Sequence, residues 1–521
     1  MEYNPILLQV FKNRFSSIAE EMGVTLNRTA FSPNIKERRD FSCAIFDARG
    51  DMIAQAAHIP VHLGSMPLSV KAALAACTFA EGDMVMLNNP FAGGTHLPDI
   101  TLVAPVFIDG SPRFFVANRA HHADVGGMSA GSMPLSTTLH QEGVIISPVK
   151  LVEGGTIDRK LLQLVTENTR TPDEREGDFA AQIMANRVGI RRMLELLAKY
   201  GLGEVESYSR HLNDYAERIT RAAICEIPDG EYRFTDYLDG DGLGNEQLPV
   251  QLKLTVVGDT ATLDFSGSAA QTRGSINAVR AITVSAVLYV FRSLIREDIP
   301  TNAGCTRPLQ IITRPGSIVD AEFPAAVSAG NVETSQRIVD VVLGALAEAL
   351  PDRIPAASQG TMNNLTIGGI DPRTNRPFAY YETIAGGQGA SRERDGESAI
   401  HSHMTNTLNT PVEALEFSYP FQVATYAVRS GSGGEGRKRG GDGLVREIRL
   451  MSDAEVTLIS ERRLNRPYGL LGGEGGMPGA QVLVRDGETE ALPGKFSRHL
   501  CSGDCVRIET PGGGGFGIKD K

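Results

Sequence analysis

The chain has 521 residues, 41% hydrophobic and 22% charged, a balance that supports large cores and excludes a disordered or fibrous protein. A formal net charge of -11 leaves no basic excess for neutralising phosphates, so small substrates and protein partners are expected and no nucleic acid. Six cysteines without a C-x-x-C pair are too sparse for a disulfide framework and read as buried thiols.

The opening Met-Glu-Tyr-Asn-Pro carries no basic segment leading into an apolar one, and no apolar run of about eighteen residues follows, so a cytoplasmic location without a membrane span is expected. Asn4 and Pro5 cap a first helix whose buried face is Leu7, Phe11, Phe15, Ile18 and Met22, spaced by threes and fours. Residues 42–58 predict a hairpin turning at Asp47-Ala48-Arg49-Gly50, and 66–78 a short alanine-rich helix. Residues 84–87 form a buried strand that runs into a glycine-containing loop, 88–97. The segments 101–108 and 112–119 then make a hairpin about Asp109-Gly110, a favoured turn dipeptide.

From 158 to 226 the period becomes helical, with Phe179, Ile183, Ile190, Met193, Leu194 and Leu197 on one apolar face. Residues 230–266 return to strands, with a turn at Gly258-Asp259, before a helix over 281–295. A further helix over 332–346 is capped by Asn331. The remainder is strand and loop interrupted by glycine clusters at 386–389, 431–443, 472–479 and 512–517, without a tandem repeat. The reading is an α+β fold in four units: 1–157, an N-terminal unit whose antiparallel hairpins bear a metal site; 158–226, a helical section; 227–350, a mixed unit; and 351–521, a glycine-rich β region.

Six of the ten histidines, His58, His62, His96, His121, His122 and His140, fall between residues 58 and 140, and two stand near aspartates in His96-Leu97-Pro98-Asp99 and His121-His122-Ala123-Asp124. Imidazole with carboxylate is a divalent-metal ligand set. A hairpin turning at Asp109-Gly110 pairs residues whose numbers sum to about 219 or 220, so Asp99 lies opposite Ala120 or His121. His96 can fold back from the loop to the same point. Side chains alternate along a strand, so His122 points away from His121 and reads as a group supporting the ligands or facing substrate. His58 and His62 lie near a proline in a loop, where lining the pocket and simple packing are equally compatible. His401-Ser402-His403 is a candidate pocket wall or an ordinary loop. The glycine-rich tail ending at Phe516 invites comparison with an anion cradle, but it lacks a strand-loop-helix context and any G-x-x-x-x-G-K-[ST] motif, so a structural turn or subunit contact is expected and no ATP site.

The run Asn89-Pro90-Phe91-Ala92-Gly93-Gly94-Thr95-His96-Leu97-Pro98-Asp99-Ile100 resembles the hydantoinase B and oxoprolinase family, which includes subunits of caprolactamase and acetone carboxylase-type enzymes. Further matching runs are His62-Leu63-Gly64-Ser65-Met66, Gln141-Glu142-Gly143, Asp264-Phe265-Ser266-Gly267, 330–336, 405–413 and 511–517. The resemblance implies a metal, zinc or manganese, held by His96, Asp99 and His121, with His122 as the alternative third ligand. It also implies a hydantoinase A-type companion that uses ATP to phosphorylate the substrate carbonyl, and a hetero-oligomer with two or more copies of each subunit. The implied reaction is ATP-dependent hydrolysis of a cyclic amide such as hydantoin, N-methylhydantoin, 5-oxoproline or a lactam. His122, Asp124 and Glu142 are the candidate proton-relay residues. The competing reading is a subunit of an ATP-dependent ketone carboxylase; a non-catalytic scaffold would carry a degenerate metal trio, and this trio is intact.

Overall fold

Asn4 caps the first helix, Pro5–Thr29, by accepting from the amides of Ile6 and Leu7. Phe11, Phe15, Ile18 and Met22 are buried along its inner face. The computed structural model describes residues 4–56 and 59–519, so His58 lies outside the described residues. Within them the fold is α+β, with antiparallel sheets that carry helices on their faces.

Seven strands make the sheet that positions the site: β1 (Phe41–Asp47), β2 (Met52–Gln55), β3 (Met84–Leu87), β4 (Asp99–Ile108), β5 (Ser111–His121), β6 (Val149–Glu153) and β7 (Thr156–Ile157). Their order is β2-β1-β5-β4-β3-β6-β7, and every neighbouring pair is antiparallel. The β4–β5 hairpin turns at Asp109 and Gly110, both at positive φ (51° and 74°), as a tight hairpin turn requires. Its register pairs Asp99 with His121.

Alternation divides β5 between two cores. Phe114, Val116 and Ala120 join the main core with Phe11, Phe15, Phe179 and Ile183, beneath the first helix and the helix Pro172–Tyr200. Phe115 and Ala117 point the other way, toward Met66, Val70 and Ala73 of the helix Ser65–Ala76. The helical section comprises Arg159–Thr166, Pro172–Tyr200 and Leu202–Cys225. Of its expected apolar face, Phe179, Ile183, Met193 and Leu197 are buried, whereas Leu194 is exposed because it lies just beyond the stripe that meets the sheet.

A second sheet, Gly230–Gly240, Glu246–Val257, Thr260–Asp264 and Leu309–Ile312, packs against the helix Ser335–Ala349, beside which lies Arg280–Leu294. Two further antiparallel sheets share one apolar core that includes Leu365, Tyr380, Phe421, Ile448, Val456 and Ile508. The expected cap at Asn331 is corrected. Residues 330–334 form a π-helical turn that runs into Ser335–Ala349, and the Asn331 side chain caps nothing. The glycine clusters lie against one another, and their amides are taken by backbone carbonyls: Gly513 donates to Gly441, Gly514 to Ala357, Gly515 to Glu474 and Gly434 to Gly513. The tail is a structural turn packed against the other glycine runs. Among the described residues, no helix is long and apolar enough to cross a membrane.

Candidate metal centre

The loop before β4 is shaped by two asparagines. Asn88 spans it, donating to the carbonyls of Leu97 and Val144 and accepting from the amide of Ile146. Asn89 accepts from the amide of Phe91 at the head of a short turn that ends on Gly93 at φ 86°. A Cβ at Gly93 would sit 2.5 Å from the Leu68 carbonyl oxygen, so only glycine lets the loop lie this close to the neighbouring helix. The loop returns His96 over the start of β4, where the Asp99 amide donates to the His96 carbonyl.

At the open end of the hairpin, ligand atoms of His96, Asp99 and His121 lie within 4.8 Å of one another, all in buried residues. His96 Nε2 is 3.3 Å from Asp99 Oδ2, and His121 Nδ1 is 3.3 Å from Asp99 Oδ1. His62, from the loop after β2, brings a third imidazole, its Nε2 3.3 Å from Asp99 Oδ2 and its Nδ1 2.9 Å from Ser42 Oγ. The Thr95 hydroxyl donates to Asp99 Oδ2 at 2.7 Å. Burial opposes ionisation of Asp99, but these neighbours outweigh it and hold the carboxyl well below the usual carboxylate range. Burial pushes His121 below its ordinary value, which favours the neutral imidazole a metal requires.

The donor set fits a metal ion. His96 Nδ1 faces the Ser328 carbonyl at 3.3 Å; a carbonyl can only accept, so that nitrogen carries the proton and Nε2 presents a lone pair to the cluster. His121 Nε2 is buried with no hydrogen-bond partner. Its ring stacks on Tyr381 at a centroid distance of 4.7 Å and an angle of 14°, and the Arg38 guanidinium also lies over the tyrosine ring, 4.8 Å from its centroid. Asn331 Nδ2 lies 3.1 Å from His96 Nε2. The cavity beside the trio is about 20 Å³, room for about one water.

The expected relay residues are placed elsewhere. His122 lies on the opposite face of the sheet, where Nε2 is 2.9 Å from Gln182 Oε1 and the ring packs on Phe179. Asp124 accepts from the amides of Gly126, Gly131 and Arg170 and from the Arg170 guanidinium, which makes it a loop latch. Glu142 is buried behind His96: Oε1 accepts from Ser136 and from the amides of Val327 and Ser328, and so positions the carbonyl that orients His96. Burial pushes its carboxyl up to about 7.

His401 and His403 do not line the cavity. His401 Nε2 meets Asn409, and His403 lies against Tyr289; Met404, Thr405 and Thr407 from the same run form the cavity wall instead. His140 sits on an exposed aromatic contact with Phe323. The sequence reading left His62 undecided and missed Tyr381 and Asn331 as site residues. His62 and Asn331 nonetheless stand in two of the matching runs.

Residues 4–519 match the family model for hydantoinase B/oxoprolinase. The chain belongs to the hydantoinase B/oxoprolinase family. Among its relatives, the 5-oxoprolinase of Dictyostelium discoideum is 43% identical over 100% of this chain, which spans only 41% of that protein. The hydantoinase B-type component of the putative D-/L-hydantoinase of Pseudomonas sp. (strain NS671) is 31% identical, covering 99% of this chain and 90% of its own length. The solved ATP-dependent caprolactamase from Pseudomonas jessenii superposes with a TM-score of 0.93 at 29% identity, over 99% of this chain and 92% of that one. The resemblance carried by the sequence motifs therefore holds along the whole hydantoinase B chain, and with it membership of an enzyme family that includes ATP-dependent amide hydrolases.

Proposed function

We propose that this chain is the metal-binding subunit of an ATP-dependent cyclic-amide hydrolase, acting on a hydantoin, 5-oxoproline or another lactam with a hydantoinase A-type companion. The observation that carries this reading is the buried convergence of His96, Asp99 and His121 at one hairpin end. Resonance makes an unstrained cyclic amide a poor electrophile, so activation must precede attack by water. The amides of the glycine-rich tail go to carbonyls of neighbouring segments, which leaves the tail no cradle for the phosphates of ATP. ATP use is therefore assigned to the companion, which fits the longer 5-oxoprolinases of which this chain spans two fifths. A zinc or manganese ion held by the trio would supply Lewis-acid polarisation and acidify water.

The chain's own groups do the rest. Ionised Asp99 lies between both ligand imidazoles and is held by the Thr95 hydroxyl, the Ser328 carbonyl fixes the His96 tautomer, and Tyr381 fixes the plane of His121. His62 bridges Asp99 and the Ser42 hydroxyl beside the cavity, where it can accept a proton and pass it on. The small cavity leaves room for about one water beside the trio. The test is co-purification with the companion and turnover on a panel of cyclic amides and ketones. Ring opening that needs ATP, both subunits and the trio is expected. ATP-dependent consumption of a ketone with bicarbonate, and of no cyclic amide, would overturn the proposal.

A further inference from the structure

The cavity beside the trio, at about 20 Å³, is far below the 300–1,000 Å³ or so typical of ligand pockets. A second cavity, of about 520 Å³, lies directly outside it. The two share Ile59. Elsewhere the wall between them is one chain thick, and its residues alternate sides. Asp40 faces the inner cavity while Arg39 and Phe41 face the outer; Thr405 and Thr407 face the inner while Asn406 and Leu408 face the outer. The amide of Leu408 donates to the Arg38 carbonyl and ties the two strips into one partition.

The outer cavity carries two exposed guanidiniums, Arg28 from the last turn of the first helix and Arg39. Among the described residues, neither has an ion-pair partner. Glu20 is the carboxylate in the same lining. Arg39 sits at φ 56°, a left-handed conformation unfavourable for a residue with a side chain, and in it the arginine faces the outer cavity while the next residue faces the inner. Unpaired arginines facing a ligand-sized cavity on a chain of net charge -11 suit an oxyanion that accepts a forked pair of hydrogen bonds.

We infer that the outer cavity is the receiving chamber for substrate. Arg28 and Arg39 hold its anionic group while the amide carbon is delivered between Ile59 and residues 405–408 to the trio. The inference rests on the proposed cyclic-amide reaction. The anion is either the phosphate on an activated carbonyl or a carboxylate carried by the ring, and both have oxygens that a guanidinium recognises.

Calorimetric titration of the metal-loaded chain with inorganic phosphate and, separately, with 5-oxoproline tests the site without turnover. The R28Q/R39Q variant is expected to bind one of these probes about tenfold or more weakly than wild type. A loss confined to phosphate assigns the phosphate source, and a loss confined to 5-oxoproline assigns the ring carboxylate. Equal binding of both probes by wild type and variant, or no binding by wild type, overturns the anion site. In the reconstituted complex, Leu408→Trp fills the chamber from an exposed position; kcat/KM should fall about tenfold with metal content and melting unchanged. Wild-type kcat/KM in that variant removes the chamber from the substrate path. If wild type opens no cyclic amide at all, the reaction assignment fails, and the titrations still decide whether the arginines hold an anion.

Discussion

The hairpin that carries His96, Asp99 and His121 and the glycine-rich C-terminal assembly are built on opposite terms. In the hairpin the backbone is ordinary antiparallel sheet, and everything particular to it is done by side chains that alternation sends to one end. In the assembly everything particular depends on side chains being absent. A Cβ on Gly433 would lie 1.9 Å from the Gly440 carbonyl oxygen, and one on Gly513 would lie 2.0 Å from that of Gln388. Clustered glycine can mean an open nest of amides awaiting an anion or strands packed backbone to backbone. What separates the two is whether the amides already have acceptors, and here they do. Substitution should therefore destroy the fold in one region and fall mainly on the chemistry in the other.

The sharpest break of that contrast is Gly513→Ala. Backbone meets backbone there, so nothing flexible can yield, and a loss on the order of 4 kcal/mol or more is expected, read as collapse of folded yield and melting temperature. A variant that melts within a few degrees of wild type would show that the assembly tolerates side chains. Asp99→Ala should fall mainly on the chemistry: about 1–3 kcal/mol of stability goes with the acceptor of Thr95 and His62, but the metal is lost and ring opening drops by more than about a hundredfold, since even outer partners of metal ligands cost about 10–100-fold. Elemental analysis and turnover measured on one preparation check both halves.

Within the hairpin the comparison can be sharpened by one residue. His121→Ala should lose the metal. His122→Ala should keep it but lose about 1–3 kcal/mol of stability, because Gln182 Oε1 is left buried without its donor. Retained metal in His121→Ala together with lost metal in His122→Ala would reverse the assignment of the two faces. Asn331→Ala removes an amide that competes for the His96 Nε2 lone pair, so metal affinity should hold or rise, measured by competition with a chelator; a clear loss would show that Asn331 supports the ligand.

The smallest effect is in pH. Burial pushes the carboxyls of Glu142 and Glu333 up to about 7. The native state then binds protons that the unfolded state releases, so their contribution to stability is full below about pH 4.5 and is lost as pH rises through about 7. Chemical denaturation from pH 5 to 8 should show this fall. Glu333→Gln, neutral throughout, should flatten it; an unchanged slope would mean that Glu333 is ionised in the native protein.

Short-range rules made part of this molecule legible in its sequence. Asp109-Gly110 sets the turn and alternation sets the faces, so the meeting of Asp99 with His121 follows from arithmetic along one hairpin, and His96 needs only a return of three residues. The first helix, β3 and the helical section were legible for the same reason, since their periods repeat within a few turns. The rest came from long-range packing. His62 reaches Asp99 across 37 positions and Asn331 reaches His96 across 235. Tyr381 arrives from another sheet, where alternation sends its neighbour Tyr380 into a different core. Asn331 shows why local reading misleads: an asparagine ahead of an apolar helix is locally a cap, but the π-turn rotates it out of the capping position and aims it at His96. The glycine clusters were visible as composition, but whether their amides were free or spent depended on which distant strand supplied a carbonyl, and no local pattern encodes that.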